Sequence, residues 1–296
     1  MALRIIQIVL ITYAVVVGTI IIRDFIKNRE KDMSVKMQVA HYILGFVVNF
    51  FDALGIGSFA PTCAAYAGFK MIDDDRKVPG TMNAGVAIPV IFEALLFITA
   101  VEVKLTTLVP MVLCGIIGSL VGTRFQTKVS ERMIQFILGL ALFLGAILML
   151  GSKLGILPGG GMAVGLVGTK LVIACICNFI LGFTLCFGIG NYAPCMCIVY
   201  FLGMSPLVAF PIMMCSGAMV SPTTGILNIK AGNVNRNAIM GMAAGGVIGV
   251  AIAVYIVKSM PISVLQWLVI LVAFYTGITM LKQAFARENV AKANVG

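Results

Sequence analysis

The chain has 296 residues, of which 60% are hydrophobic and only 11% are charged. Soluble domains are typically about 45–50% apolar and about 25% charged, so this composition excludes an ordinary soluble enzyme. It also excludes a disordered chain, because disorder requires low hydrophobicity. A mean hydropathy of +1.08 and a net charge of +10 indicate an integral membrane protein whose basic residues lie in loops rather than on a nucleic acid.

Eleven apolar segments follow one another along the chain: 5–22, 37–54, 60–72, 80–101, 105–122, 133–150, 162–187, 193–203, 206–227, 237–257 and 262–281. They lack the period-two alternation of barrel strands, so they predict an all-α polytopic membrane protein. The first segment is expected to be a retained helix, since no small-residue cleavage site ends it. Segments 60–72 and 193–203 are too short for a bilayer core of about 30 Å. We therefore expect broken or re-entrant helices there.

Basic residues predict the orientation. If the 23–36 loop is cytoplasmic, 16 of the 21 Lys and Arg residues fall on the cytoplasmic side. The other side has Arg4, Lys104, Lys153, Lys170 and Lys258. This asymmetry follows the positive-inside rule and predicts an external N-terminus and a cytoplasmic C-terminus.

An internal repeat divides the chain. Residues 55–61 read GIGSFAP and residues 188–194 read GIGNYAP. The repeat predicts a leading helix and basic loop (1–36), a first repeat (37–150) and a second repeat (162–282), together one membrane domain. Each repeat has five segments, so the second should be inverted relative to the first, as in many secondary transporters. The alternative is that each motif is only a tight turn between two helices.

The two breaks favour anion binding. Glycine permits a positive φ and close backbone approach, and proline suits the first turn of a helix. Each short helix should therefore direct free N–H groups and a positive dipole end toward the protein interior. We expect both ends to hold one small anion. The residues concerned are Gly55, Gly57 and Pro61 in the first repeat, and Gly188, Gly190 and Pro194 in the second.

Polar side chains cluster near the breaks and are candidate anion ligands, because Ser, Thr and Asn donate hydrogen bonds to oxyanions. The candidates are Asn49, Ser58, Thr62, Asn83, Asn178, Asn191, Cys195 and Ser216. The alternative for each of them is hydrogen bonding to a neighbouring helix or to freed backbone groups, as small polar residues often do in membrane bundles.

Two carboxyl groups lie in apolar surroundings. Asp52 ends the second segment, and Glu93 lies inside the fourth. Ionisable residues at membrane depth are candidate proton carriers, so we predict that Asp52 or Glu93 couples transport to protons. Glu93 is the better placed of the two by depth. The alternative for Asp52 is an ordinary helix-end residue, and His41 is expected to be a packed ring.

The cysteines allow a different class of function. Cys63 and Cys195 follow Pro61 and Pro194, which makes a transmembrane thiol-disulfide oxidoreductase the alternative hypothesis. There is no Cys-x-x-Cys pair, no Gly-x-Ser-x-Gly elbow and no signal for a metal or an organic cofactor. We therefore expect a protein that is not an enzyme and needs no cofactor. A channel of the same fold stays open at this point.

The motifs at the two breaks resemble those of the TauE/SafE sulfite exporter family, also called the TSUP permeases. The resemblance rests on GIGSFAP with the following TCAAYAGF, on VPGTMNAG, and on GIGNYAP and PIMMCSG, and it extends over residues 37–282. The helix before the first break departs from that family's usual pattern.

The resemblance implies a bacterial or archaeal inner-membrane permease for small anions, often sulfite or organosulfonates. We therefore expect a secondary transporter that binds such an anion between the two helix N-termini near the membrane midplane. Its partners are the anion, the lipid bilayer and, as coupling ion, protons, with no nucleic acid. A homodimer is compatible with this interpretation.

Overall fold

The computed structural model describes residues 2–28, 33–72, 74–125, 130–156, 161–185 and 191–293. These residues form twelve α-helices and two 3-10 turns, Asp75–Lys77 and Pro206–Val208. The helices are α1 (Ala2–Lys27), α2 (Val35–Ala53), α3 (Phe59–Phe69), α4 (Val78–Gly85), α5 (Ala87–Ala100), α6 (Leu105–Phe125), α7 (Glu131–Lys153), α8 (Gly168–Leu185), α9 (Tyr192–Phe201), α10 (Ala209–Lys230), α11 (Arg236–Ser259) and α12 (Ile262–Ala293).

The helices confirm the predicted fold class. Eight spans in the described residues are long and apolar enough to cross a membrane, with α4 and α5 counted together as one. The two short segments are α3, with 11 residues, and α9, with 10 residues. At 1.5 Å per residue, each is only about 15–17 Å long. Helix α2 is not among the eight spans, and it buries three polar residues, His41, Asn49 and Asp52.

Three differences from the predicted segments exceed a few residues: α8 begins late, the segment 80–101 is divided, and α12 continues past 281 to Ala293. The segment expected to begin at 162 becomes helical only at Gly168, because Ala163 instead pairs with residues 203–205 as extended backbone. The segment 80–101 is divided at Val86 into α4 and α5. Pro89 explains the division, because it has no N–H to bond to the carbonyl four residues earlier.

The described chain folds into two compact units. Unit 1 comprises Met1–Val101 and Met214–Ser259, and unit 2 comprises Glu102–Met213 and Met260–Gly296. Unit 1 therefore holds α1–α5, most of α10 and α11, whereas unit 2 holds α6–α9, the start of α10 and α12. The boundaries of the two repeats and their inverted relation stay predictions.

In unit 1, α2 packs along α11 through a row of glycines. Gly241, Gly245 and Gly249 recur every fourth residue, so they lie on one face of α11. Gly245 and Gly249 lie directly against the backbone carbonyls of Tyr42 and Phe46. Such spacing of small residues allows helix backbones to approach closely in membranes.

The leading helix α1 belongs to unit 1. It packs on α5, and its Asp24 forms an ion pair with Arg236 at the start of α11, with Nε and Oδ2 2.6 Å apart. Tyr13 is hydrogen bonded to Thr223 of α10 through their hydroxyl groups at 2.8 Å. Most of its other large apolar side chains are exposed, as expected for a helix with one face in lipid.

Unit 2 uses the same packing device. Gly118 of α6 lies against the backbone carbonyl of Phe179 in α8, and Gly182 of α8 lies against that of Gly115. Helices α7 and α12 are also packed together, with Gln135 Nε2 donating to Gln283 Oε1 at 3.2 Å. Both units therefore contain closely packed helix pairs. A side chain added at the contact glycines would collide with the backbone of the neighbouring helix.

Candidate functional site

The first break follows the end of α2. The N–H of Gly55 donates to Asp52 O at 2.7 Å, and the N–H of Ile56 donates to Phe51 O at 3.1 Å. With Gly55 at φ +89°, this is the Schellman motif that ends many helices. Gly55 therefore contributes to the C-terminal cap of α2.

Gly57 lies in a different environment. Its φ is +91°, and in the described part of the chain a Cβ added there would meet no heavy atom within 4 Å. Glycine is the residue that adopts this φ without strain. The backbone at Gly57 is therefore fixed in conformation but borders open space.

Ser58 is the N-cap residue of α3. It is a residue type that normally bonds to the amide two or three positions later, yet its side chain makes no capping hydrogen bond. It is only 2% exposed. Thr62, one turn further on, donates its hydroxyl proton to Ser58 O at 2.6 Å. The start of α3 thus lacks the side-chain cap that its sequence could supply.

The second break shows the same feature where the structure describes it. Gly188 and Gly190 lie outside the described residues. Asn191 is the N-cap residue of α9, is 1% exposed and makes no capping hydrogen bond. Among the described residues neither its Nδ2 nor its Oδ1 has a hydrogen-bond partner. Its backbone carbonyl accepts from the N–H of Cys195 at 3.0 Å.

Ser58 and Asn191 occupy matching positions in the two repeated motifs. Both are buried N-cap residues that leave the first turn of their helix without a side-chain cap. The first N–H groups of a helix have no partner within the helix, and the helix dipole gives that end a partial positive charge. Each end can therefore accept an anion.

The other predicted ligands are placed as follows. Asn83 Nδ2 donates to Pro79 O within α4 at 2.9 Å. Asn178 Nδ2 donates to Met111 O at 2.6 Å and thereby joins α8 to α6. Ser216 is buried in α10. The contacts of Asn83 and Asn178 are those expected for side chains that satisfy helix backbone, and a role in anion binding stays a prediction.

Asn49 lies with Pro89 in the tight contact between α2, α5 and α11. Its Nδ2 donates to Gly45 O at 2.8 Å, whereas Oδ1 has no partner in the described residues. A Cβ added at Gly246 would lie 2.6 Å from Asn49 Nδ2 and 2.6 Å from Pro89 Cγ. Gly246 is not among the predicted site residues, although the four-residue glycine spacing beside it in α11 is visible in the sequence.

The two carboxyl groups lie within unit 1. Glu93 is 0% exposed, and neither of its carboxyl oxygens has a hydrogen-bond partner among the described residues. Asp52 is 2% exposed and close enough to act electrostatically on Glu93. An unpaired buried charge is very unfavourable, so this environment favours the neutral form of Glu93. His41 is fully buried and its Nδ1 is hydrogen bonded to Met37 O at 2.8 Å.

The cysteines give no support to a thiol relay. Cys63 is exposed in unit 1, and Cys195 is buried in unit 2. All seven cysteines in the described part of the chain are free. The same residues contain no group of three or more His, Cys, Asp or Glu side chains arranged to hold a metal ion.

One comparison with known proteins gives a result. The family model described as "Sulfite exporter TauE/SafE" matches residues 1–149. The match includes α1, so the leading helix is part of the family pattern rather than a departure from it. The match does not cover the second half of the chain, where the motifs GIGNYAP and PIMMCSG lie. Searches of curated proteins and of solved structures found no match.

Proposed function

The chain belongs to the sulfite exporter TauE/SafE family, and we propose that it is a secondary carrier for a sulfur oxyanion or a small organosulfonate. Membership of this family implies a multi-pass membrane transporter for a small anion. The identity of the anion, the residues that bind it and the coupling ion belong to the proposal. So do the bacterial or archaeal inner membrane and the external N-terminus.

The observation that carries the proposal is the Asn191 side chain. A buried amide without hydrogen bonds costs about 1–3 kcal/mol, and Asn191 lies at a helix N-terminus, where an anion is stabilised. An oxyanion would accept hydrogen bonds from Nδ2 and from the helix N–H groups. Ser58 would supply its hydroxyl at the matching end of α3.

The chemistry of these donors suits transport. Backbone N–H groups, one amide and one hydroxyl provide partial charges rather than a full positive charge. An anion held in this way can leave again, as a carrier requires. Sulfite and sulfonates present three oxygens, which can accept hydrogen bonds from the amide Nδ2, the hydroxyl and the backbone N–H groups. The sequence further predicts that one anion is held by both helix ends.

Glu93 is the proposed proton carrier, with Asp52 as its neighbour. A neutral Glu93 is compatible with its buried surroundings in unit 1. When those surroundings open to water during alternating access, Glu93 would release its proton. Coupling of anion flux to a pH gradient would follow.

The experiment is a thermal-shift measurement on the purified full chain. Sulfite, thiosulfate, sulfate, small sulfonates and carboxylates are compared with matched neutral analogues. A ligand at 100 times its Kd stabilises the folded state by about 2.7 kcal/mol. We expect stabilisation by a sulfur oxyanion, weakened in Ser58→Ala and in Asn191→Ala. Equal stabilisation of wild type and both variants would refute the assigned site.

A double variant tests the prediction of one shared anion. If both ends hold the same anion, the losses in Ser58→Ala and Asn191→Ala should be non-additive by at least about 0.5 kcal/mol. Strictly additive losses, or two independent binding events in calorimetry, would contradict a single site.

A further inference from the structure

Unit 2 has an apolar groove that the proposed transport function does not use. The groove has a volume of about 360 Å³ and lies between α7, α8 and α9. Its lining residues are Leu138, Ala141, Leu142 and Gly145 from α7, Ile173, Cys177, Ile180 and Leu181 from α8, Pro194, Cys197, Ile198 and Phe201 from α9, and Leu202 at the C-cap of α9.

The groove opens away from the core of unit 2. Ile173 and Ile180 of α8, one of the candidate membrane spans, line it and are 45% and 47% exposed. Large apolar side chains exposed on a membrane-spanning helix face hydrocarbon. The groove is therefore accessible from the lipid side of unit 2.

The length of the groove corresponds to one leaflet. Along α8 it runs from Ile173 to Leu181, and along α9 from Pro194 to Leu202. Eight residue steps at 1.5 Å give about 12 Å, compared with about 15 Å for half of a hydrocarbon core of about 30 Å. A chain that enters from one membrane surface would end near the bilayer centre.

A positive charge lies at one end of the groove. Lys170 is exposed in the first turn of α8, and its Nζ donates to the backbone carbonyl of Leu202 at 3.2 Å. Leu202 is itself a lining residue. Since α8 begins and α9 ends at this point, Lys170 marks the mouth of the groove, and the deep end is at Leu181 and Pro194.

We propose that this groove binds one acyl chain of an anionic phospholipid whose phosphate is held by Lys170. The apolar lining and the one-leaflet length select an acyl chain, and the lysine at the mouth selects a negative headgroup. A lysine near a membrane surface is worth about 1 kcal/mol toward an anionic lipid, which corresponds to about fivefold in affinity.

The test is native mass spectrometry of the full chain with phosphatidylglycerol or phosphatidylcholine of the same acyl chains. Wild type should hold one phosphatidylglycerol that survives mild activation. Ala141→Phe places a ring in the groove at an exposed position and should reduce binding of both lipids. Ile147→Phe, an exposed position on the same helix outside the lining, is the control and should bind as wild type.

The headgroup is tested separately. Lys170→Gln should lower the preference for phosphatidylglycerol over phosphatidylcholine by about fivefold. Lys258→Gln, which removes an exposed lysine in the last turn of α11, should not change that preference. An unchanged preference in Lys170→Gln would overturn the headgroup assignment.

Two further outcomes would overturn the proposal. One is lipid binding in Ala141→Phe equal to that in Ile147→Phe. The other is a change from dimer to monomer in Ala141→Phe with lipid binding retained, which would assign the groove to a second copy of the chain. If Ala141→Phe does not fold, Gly145→Val replaces it, because its Cβ would lie 3.6 Å from Phe201 and 3.7 Å from Cys197, in ordinary contact.

Discussion

Units 1 and 2 share their construction but differ in the polar groups that they bury. Each has a helix pair in glycine-mediated contact, and each has a short helix whose N-cap side chain does not cap it. Unit 1 also buries the carboxyl groups of Asp52 and Glu93. In the described part of unit 2 the buried polar residues are Thr, Ser, Gln and Asn, without a carboxyl group.

This difference separates two requirements of a coupled anion carrier. Anion binding by helix ends needs only partial charges, so it can be present in both units. A proton carrier needs an ionisable side chain at depth, which is costly to bury. Among the described residues, buried carboxyl groups occur in unit 1 only, and we propose that Glu93 is the proton carrier. Two kinds of variant test this comparison. Substitutions in the glycine contacts should destabilise both units, whereas substitution of Glu93 should affect a function of unit 1 only.

The largest effect is expected from filling the helix contacts. Gly245→Leu would place a side chain against the backbone carbonyl of Tyr42 in unit 1, and Gly118→Leu against that of Phe179 in unit 2. Overpacking typically costs about 1–3 kcal/mol and more where backbone must move. We expect neither variant to be recovered as monodisperse protein in detergent.

The control for these variants is Gly68→Leu, because a Cβ at Gly68 of α3 would meet no heavy atom within 4 Å in the described structure. It should be purified like wild type. If Gly245→Leu is lost but Gly118→Leu is stable, the two units do not depend on the same packing device.

Much of this construction is readable from the sequence. The eleven apolar segments predict where the helices lie, because a membrane-spanning helix needs a long apolar run. The start of α8 was missed, because the pairing of Ala163 with residues 203–205 depends on contacts distant in sequence. The division at Val86 was missed although Pro89 was visible, since tertiary packing decides whether a proline bends or divides a membrane helix.

The candidate site was only partly predictable. The motifs placed Ser58 and Asn191 at the two breaks, and the apolar surroundings of Glu93 indicated its depth. That Ser58 and Asn191 do not cap their helices was not predictable, because Ser and Asn are the residues that usually do. The same limit applies to Gly55, whose sequence context does not distinguish a helix stop from an anion-binding loop.

A large functional effect is expected from Glu93→Gln. The substitution keeps the shape of the side chain and removes its titratable proton. We expect anion uptake driven by a pH gradient to be abolished in proteoliposomes, while exchange of anion against anion continues. Glu102→Gln makes the same change at an exposed position and should leave both activities intact. Retained proton coupling in Glu93→Gln would exclude Glu93 as the proton carrier.

The smallest effect concerns stability at the N-caps. Asn235 precedes α11, and its Oδ1 accepts from the N–H of Ala238 at 3.0 Å. Removing a working cap costs about 1 kcal/mol, so Asn235→Ala should lower the thermal stability of the anion-free protein. Asn191 forms no such bond, so Asn191→Ala should not lower that stability, and it should weaken anion binding about tenfold, the equivalent of about 1.4 kcal/mol.

Unit 1 allows the same comparison between two N-cap residues. The Ser34 side chain caps α2, whereas the Ser58 side chain does not cap α3. Ser34 Oγ accepts from the N–H of Met37 at 3.3 Å. Ser34→Ala should therefore lower the thermal stability without changing the anion affinity. Ser58→Ala should weaken anion binding without lowering the thermal stability. A buried N-cap residue that contributes to binding but not to folding is one whose hydrogen bonds are reserved for a ligand. If Ser58→Ala and Asn191→Ala destabilise the anion-free protein as much as the working-cap variants do, both residues are structural and the anion site lies elsewhere.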